Sequence, residues 1–421
     1  MFRLSSLKFI TSLSSLNFAS WLAEYGLYLY TRSVDFPIQY CARCIMPETQ
    51  EGQSFDHFGI CNVCRSSEDK MRINWADRRT ELASILEESK AKHSNEPYDC
   101  LVPISGGKDS TFQLHVLVKE FGMRPLAVTF SHNWFTSIGM YNLLNSLEVF
   151  DVDHIMFTPK RSLVNRSAKR SVETIGDACW HCHAGVGAFP LQIALKYNIG
   201  LIVWGESVSE SSSRGTYSAP IMKFDQDYFL KVSAKKSPNE FACAEIKLRE
   251  LQPFLTPSQQ EYENSGLRGI HLGDYLFWDE ERQTEFVIDE YGWKEDSIEG
   301  TYKGYKSTEC IMPGVHDFAC YLKRGFGRTS FHKSSDIRAG VIPRDEVSLL
   351  DLSSEREVPA TLEYFSEITG MSLEQFIEGV QDHKHPSLKN VHLPIIPASQ
   401  KKPKELFVRK LKEWIELEDR S

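Results

Sequence analysis

Four apolar runs of strand length, each separated from the next by enough residues for a helix, govern what this chain can fold into. They are Asp99-Cys100-Leu101-Val102-Pro103-Ile104, Pro125-Leu126-Ala127-Val128-Thr129-Phe130, His154-Ile155-Met156-Phe157 and Leu201-Ile202-Val203-Trp204. Strand-length runs that alternate with helix-length segments predict a parallel sheet built from βαβ units between Tyr98 and about Ser209. Ligand sites in such sheets gather at the carboxyl ends of the strands. The residues that follow each run are therefore the first place to look for chemistry.

After the first run stands Ser105-Gly106-Gly107-Lys108-Asp109-Ser110, followed by the apolar segment Phe112 to Val118, which is expected to be helical. Glycines at a strand-to-helix turn let backbone N–H groups point at a phosphate, and the helix N-terminus adds partial positive charge. Ser105 and Ser110 supply hydroxyls and Lys108 a point charge. An acid is out of place in an anion site unless a divalent cation mediates, so Asp109 is the candidate magnesium ligand. A plain glycine turn with a serine cap is the competing reading. The spacing is not that of a Walker loop, so a γ-phosphate-hydrolysing motor is not indicated.

In its form S-G-G-x-D-S, the hexapeptide resembles the PP-loop of the ATP pyrophosphatase superfamily, whose members cut ATP between the α and β phosphates. That resemblance implies an α/β fold with a PP-loop (HUP-like) doubly wound parallel sheet and chemistry by adenylation. It also implies ATP and Mg2+ held by Ser105, Gly106, Gly107, Lys108, Asp109 and Ser110, with Lys108 and Asp109 acting on the phosphates. The ends of the second and fourth strands, Phe130 to Trp134 and Gly205-Glu206-Ser207, should flank the nucleotide. Gly205 and Glu206 are thus further candidates for binding it.

Cys41-x-x-Cys44 and Cys61-x-x-Cys64 lie sixteen residues apart, the spacing of a four-thiolate Zn2+ site. Closed ligation of this kind is structural, and metal binding worth roughly 10–16 kcal/mol lets a segment poor in core residues hold its fold. Cys179-Trp180-His181-Cys182-His183 could supply a second metal site, a redox pair or a wall of the active site. Cys100, Cys243, Cys310, Cys320 and His316 are expected to be ordinary buried groups.

Ten cysteines in 421 residues are too few for a disulfide scaffold, and six of them fall in C-x-x-C pairs, which reads as metal ligation in a reducing cytoplasm. With 48 Lys+Arg against 57 Asp+Glu the formal charge is −9, which disfavours nucleic-acid binding through a broad basic face. The chain divides by composition into an apolar leader (1–37), a zinc-binding module with a connecting helix (38–95), a PP-loop domain (96–210) and a mainly helical substrate-binding region (211–421). Helical patterns are clearest at Trp75 to Lys92, Leu362 to Ile377 and Leu406 to Leu417. The leader is uncharged from Phe9 to Ala23, then broken by Glu24. It is expected to be a structural or interfacial helix, with a membrane-surface contact as the alternative.

Several features together narrow the resemblance. The cysteine module before the PP-loop, the Cys179-to-His183 cluster, Trp204-Gly205-Glu206-Ser207, Gly325-Phe326-Gly327-Arg328-Thr329 and Asp336-Ile337-Arg338-Ala339-Gly340 look like the N-acetyl sugar amidotransferase family of surface-polysaccharide and LPS O-antigen biosynthesis. The likeness spans roughly residues 38 to 390, and the leader before Phe36 departs from the pattern. It implies conversion of an N-acetyl group on a sugar or nucleotide-sugar to an acetamidino group, with ammonia from a partner glutaminase subunit and a synthase-like companion. Arg328, Lys333 and Arg338 are the candidates for holding an acidic sugar or its diphosphate; a solvated charged loop is the plain alternative. The rival functions are a tRNA-thiolating PP-loop enzyme and a zinc scaffold that binds ATP without consuming it.

Overall fold

The computed structural model describes residues 38–211, Tyr217, Tyr228, 234–347 and 352–397. The apolar leader, most of the polar loop after Ser209 and the pattern Leu406 to Leu417 lie outside the described residues. The described residues from Gln39 onward belong to one compact unit. Among the described residues, no helix is long and apolar enough to cross a membrane.

The architecture is α/β. Five parallel strands stand in the order β3-β2-β1-β4-β5: β1 Cys100–Pro103, β2 Pro125–Phe130, β3 His154–Phe157, β4 Leu201–Trp204 and β5 Arg268–His271. The first four coincide with the apolar runs. Register is fixed by Leu101 opposite Leu126 and Ile202, Ala127 opposite His154, and Ile202 opposite Gly269. The order turns outward in both directions from β1, so the switch point of the sheet falls between β1 and β4, where a ligand crevice is expected.

Successive strand residues point to opposite faces, and two cores follow from that alternation. On one face Leu101, Leu126, Val128, Phe130 and Ile202 pack with Trp180, Phe189, Phe241 and Phe254. On the other Cys100, Val102, Ile104, Ala127 and Val203 pack with Leu82, Leu86, Leu114 and Leu143. The helices concerned are α2 Trp75–Lys92, α3 Lys108–Leu114, α4 Ser137–Phe150, α5 Arg161–Ile175 and α6 Trp180–Lys196, while α1 Asn62–Lys70 belongs to the cysteine module. α2 has the bounds expected of it and is capped by Asn74, whose side chain accepts from the backbone N–H groups of Ala76 and Asp77.

Two helical expectations need correction. The segment after the phosphate loop is helical from Lys108 rather than Phe112, and it passes into a π-helical turn over His115–Glu120. The pattern read as one helix from Leu362 to Ile377 is two, Thr361–Thr369 and Leu373–Gln381, because Gly370 adopts φ 69° and closes the first while Ser372 caps the second. The C-terminal region also contains α7 Glu280–Tyr291, α8 Pro313–Arg324 and α9 Arg328–Ala339.

The cysteine module is docked against α8 and α9. Met46, Val63 and the four cysteines pack with Phe326, Phe331 and Ile337. Ser334 Oγ donates to the Cys44 carbonyl at 2.5 Å, and Thr49 Oγ1 to the Arg324 carbonyl at 2.6 Å.

Candidate active site

β1 delivers the phosphate loop to the switch point. Gly106 sits at φ 82°, a conformation that favours glycine, and an added Cβ would lie 2.6 Å from the Gly139 carbonyl oxygen. Gly107 caps α3 in extended geometry, and its carbonyl accepts from Ser110 Oγ at 2.9 Å and Thr111 Oγ1 at 3.2 Å. The N–H of Gly107 turns back to Ser105 Oγ at 3.3 Å. Trp293 Nε1 donates to the Gly106 carbonyl at 3.0 Å, which fixes the loop from the far side. The turn is thus a rigid, bare-backbone cradle at the start of a helix, the form of an anion site.

Lys108 is buried under this loop, with 2 % of its surface exposed, and its Nζ lies 2.5 Å from Asp109 Oδ1. Asp109 is more open, at 36 % for the side chain. Glu206, at the end of β4, joins them. Its carboxyl is pushed up to about 7 by burial and by the neighbouring charges of Glu280 and Asp109, against the pull of Lys306 and Lys108. The structure therefore brings Lys108, Asp109 and Glu206 of the sequence-derived set into one electrostatic group beside the glycine cradle. Gly205 lies against Gln113, leaving about 3.0 Å between an added Cβ and its Oε1, so the β4 end approaches α3 closely.

Sequence reasoning missed the other half of this group. Glu280 at the start of α7 pairs with Lys306; burial pushes its carboxyl up, but Lys306, Lys108 and Lys303 outweigh that and hold it at about 2. Glu309 also faces Asp109, Lys108 and Arg328, and burial raises its carboxyl. The segment carrying Lys306 and Glu309 is pinned by Lys303, whose Nζ reaches Asp336 at 2.5 Å, Glu281 at 2.7 Å and the Tyr305 hydroxyl at 2.8 Å. It crosses α4 at Gly139, where an added Cβ would sit 2.2 Å from Glu309 Cα. The one signal in the sequence was the alternation Tyr302-Lys303-Gly304-Tyr305-Lys306, which has neither helix nor strand period.

Four carboxylates, Asp109, Glu206, Glu280 and Glu309, thus meet Lys108 and Lys306 at the phosphate loop. Oxygen donors in excess over cations suit a hard divalent ion such as Mg2+ carrying phosphate.

The cysteine centre meets a stricter test. Cys41, Cys44, Cys61 and Cys64 are fully buried, with all four sulfurs within 4.8 Å of one another. The Cys41–Cys64 and Cys44–Cys61 separations are 3.9 and 3.7 Å. A tetrahedron with Zn–S of about 2.3 Å has edges of about 3.8 Å. Backbone N–H groups of Arg43, Cys44 and Cys61 point at the Cys41 sulfur at 3.3–3.4 Å, as expected for a thiolate turn. The donor set fits zinc.

The three basic residues expected to act together are separated. Arg328 and Lys333 line a cavity of about 650 Å3 with Glu299, Tyr302, Asp317, Thr329 and Glu355. Arg328 spans from this cavity to the charged group: its Nε pairs with Asp317 at 2.5 Å and its guanidinium donates to Ser307 Oγ at 3.0 Å. Arg338 instead points at the cysteine centre, 3.6 Å from Cys44 Sγ. The Phe130-to-Trp134 strand end runs into the core, where Trp134 is fully buried against His181.

The C-terminal part of the chain has a recognisable relative. Residues 299–396 match the family model described as LPS biosynthesis protein WbpG-like, C-terminal domain. An uncharacterized protein of Methanocaldococcus jannaschii, MJ1599, is 27% identical over 114 residues, which is 27% of this chain and 40% of that protein. The chain thus matches about two fifths of the length of that relative. Among solved structures, an NMN synthetase from Francisella tularensis aligns over 72% of this chain and 96% of its own at 12% identity, with a TM-score of 0.34, too loose a likeness to bear an argument. The stretch similar to the LPS-biosynthesis domain supplies Lys303, Lys306, Glu309 and Arg328, and nearly all of the cavity wall.

Proposed function

We propose that this chain is an ATP-dependent amidotransferase that converts the N-acetyl group of a sugar or nucleotide-sugar to an acetamidino group. The acetamido oxygen attacks the α-phosphorus, the bond to the β-phosphate oxygen breaks, and pyrophosphate leaves. Ammonia then adds to the activated carbon and AMP departs with the former acetamido oxygen, leaving the protonated amidine. Catalysis of this type rests on positioning and on charge stabilisation at the phosphates.

The observation that carries the reading is the bare glycine cradle of Gly106 and Gly107 with Lys108, Asp109, Glu206, Glu280, Lys306 and Glu309 gathered round it. In this reading Asp109 and Glu206 take up Mg2+ and the loop takes the phosphates. The cavity beside Arg328 takes the acceptor: its hydroxyls and carboxylates suit sugar hydroxyls, and Arg328 and Lys333 suit a carboxylate or diphosphate. Ammonia would come from a separate glutaminase subunit with a synthase-like companion. Ten unpaired cysteines and an ATP substrate fit a cytoplasmic enzyme.

The test is AMP release by the purified protein with Mg-ATP and ammonium across a panel of N-acetylated sugars and nucleotide-sugars, with bulk tRNA as a parallel arm. Release dependent on one sugar supports the reading and names the acceptor. Release with tRNA alone transfers the chain to thiolation chemistry, and binding of ATP with no AMP in any arm leaves a nucleotide-binding scaffold.

A further inference from the structure

A second group of metal-ligating side chains stands apart from the four-cysteine centre. Asp177, Cys179 and His316 offer a carboxylate oxygen, a thiol sulfur and an imidazole nitrogen within 4.8 Å of one another. Asp177 and Cys179 come from the turn that opens α6, and His316 comes from α8, 137 residues later. The turn is held by Asp177 Oδ1, which accepts the backbone N–H of Cys179 at 2.9 Å and lies 3.0 Å from His316 Nδ1. The Asp177 side chain is only 5 % exposed, whereas that of His316 is 33 % exposed. The group is thus anchored inside and reachable from one side.

We propose that Asp177, Cys179 and His316 form a second metal site, which takes a divalent transition-metal ion of the zinc class. Sulfur, nitrogen and oxygen donors in one set match Zn2+ better than Mg2+ or Ca2+, which take oxygen alone. Three protein ligands leave a fourth position open, the arrangement of a reactive zinc rather than a structural one. The bland account is that Asp177 and His316 make a plain ion pair. It leaves unexplained why a thiol converges on the same point from a turn whose backbone is tied to the same carboxylate.

The surroundings are suited to a metal that meets substrate. The His183 ring stands edge-on to His316 with centroids 5.7 Å apart. The residue after His316 is Asp317, whose carboxylate lines the 650 Å3 cavity and pairs with Arg328. Cys182, one helical turn after Cys179, is buried and feels the charges of both Glu309 and Asp177. The centre therefore adjoins the cavity wall. It is separate from the cysteine module, whose four donors are all used in closing one tetrahedron.

Metal content decides the matter on the full-length protein, expressed with zinc sulfate in the medium and measured by mass spectrometry. The wild type is expected to carry two zinc ions per chain, and Cys179→Ser and His316→Asn one each. Cys61→Ser should lose the other ion. X-ray absorption on the wild type should show fewer than four sulfurs per zinc on average, with nitrogen or oxygen making up the difference. One zinc per chain with an all-sulfur shell in the wild type overturns the proposal, whatever the variants do. Two ions that persist in both Cys179→Ser and His316→Asn overturn it as well.

Discussion

Glu206 is the residue whose replacement separates function from stability most cleanly. Its carboxyl titrates at about 7, against an ordinary value of 4.5, because burial and then the fixed charge of Glu280 disfavour the ionised form. The unfolded chain releases this proton near 4.5, so between 4.5 and 7 the folded state binds more protons than the unfolded one. Stability from this group is therefore full below 4.5, falls as pH rises, and is lost above 7. At about 1.4 kcal/mol per unit, the cost of a charged Glu206 above pH 7 is on the order of 3 kcal/mol. Glu206→Gln keeps the shape and never ionises. Urea midpoints in magnesium-free buffer should show the variant gaining on the wild type by about 2–3 kcal/mol between pH 5 and pH 8. The same variant should form AMP roughly 100-fold more slowly, since it cannot contribute a carboxylate to Mg2+. A stability gap that stays constant with pH would show that Glu206 is not held protonated by Glu280 and burial, and the electrostatic argument would fail.

Other substitutions probe the parts one at a time. Asp109→Ala should abolish AMP formation while circular dichroism and zinc content stay as in the wild type; retained turnover would refute its role at the cation. Gly139→Ala puts a Cβ 2.2 Å from Glu309 Cα, so the 307–311 segment must move. It should cost about 1–3 kcal/mol in thermal or urea unfolding and weaken nucleotide binding in calorimetry. Arg328→Ala strands Asp317 and should destabilise the fold by roughly 3 kcal/mol while raising the KM for the acceptor. Arg328→Lys should recover stability more than KM, because lysine keeps the charge but not the fork that reaches both Asp317 and Ser307. Cys61→Ser should remove one zinc ion and lower the unfolding temperature; a variant with unchanged zinc would show that the four cysteines do not form the site.

What the sequence made legible follows from how local the determinants are. β1, β2 and β4 were readable because a strand buried on both faces must be apolar along its length, and the half-buried edge strand β3 because three of its four residues are apolar all the same; the Ser105–Ser110 loop was readable because glycine, lysine and acid must be consecutive to act together. The convergence of Cys41, Cys44, Cys61 and Cys64 was readable because two turns each present a pair of sulfurs at fixed spacing. β5 was not, since Arg268-Gly269-Ile270-His271 carries a single aliphatic side chain although three of its four residues are buried. Glu280, Lys306 and Glu309 were hard to read for a different reason: each gains its role from Lys108 and Asp109, some 170 to 200 residues away, and only the aperiodic Tyr302-to-Lys306 stretch marks any of them locally. Arg338 shows the converse. Its place in a basic cluster suggested substrate, but one turn of helix beyond Ser334 puts it over the Cys44 sulfur instead of the cavity.

That placement also ties the cysteine module to the cavity. α9 begins with Arg328 at the cavity and ends with Arg338 at the cysteine centre. Its apolar residues Phe331 and Ile337 pack on the module, and Ser334 is tied to the carbonyl of Cys44. Helices of this length are marginal without tertiary contacts, so α9 is held at both ends, by Asp317 and Glu355 near Arg328 and by the module near Arg338. A rigid four-thiolate knot grips it without requiring a large apolar core, which residues 39–64 could not supply. The cysteine module is thus linked to the cavity through α9, whereas the Ser105–Ser110 loop is braced independently by Trp293 and α4.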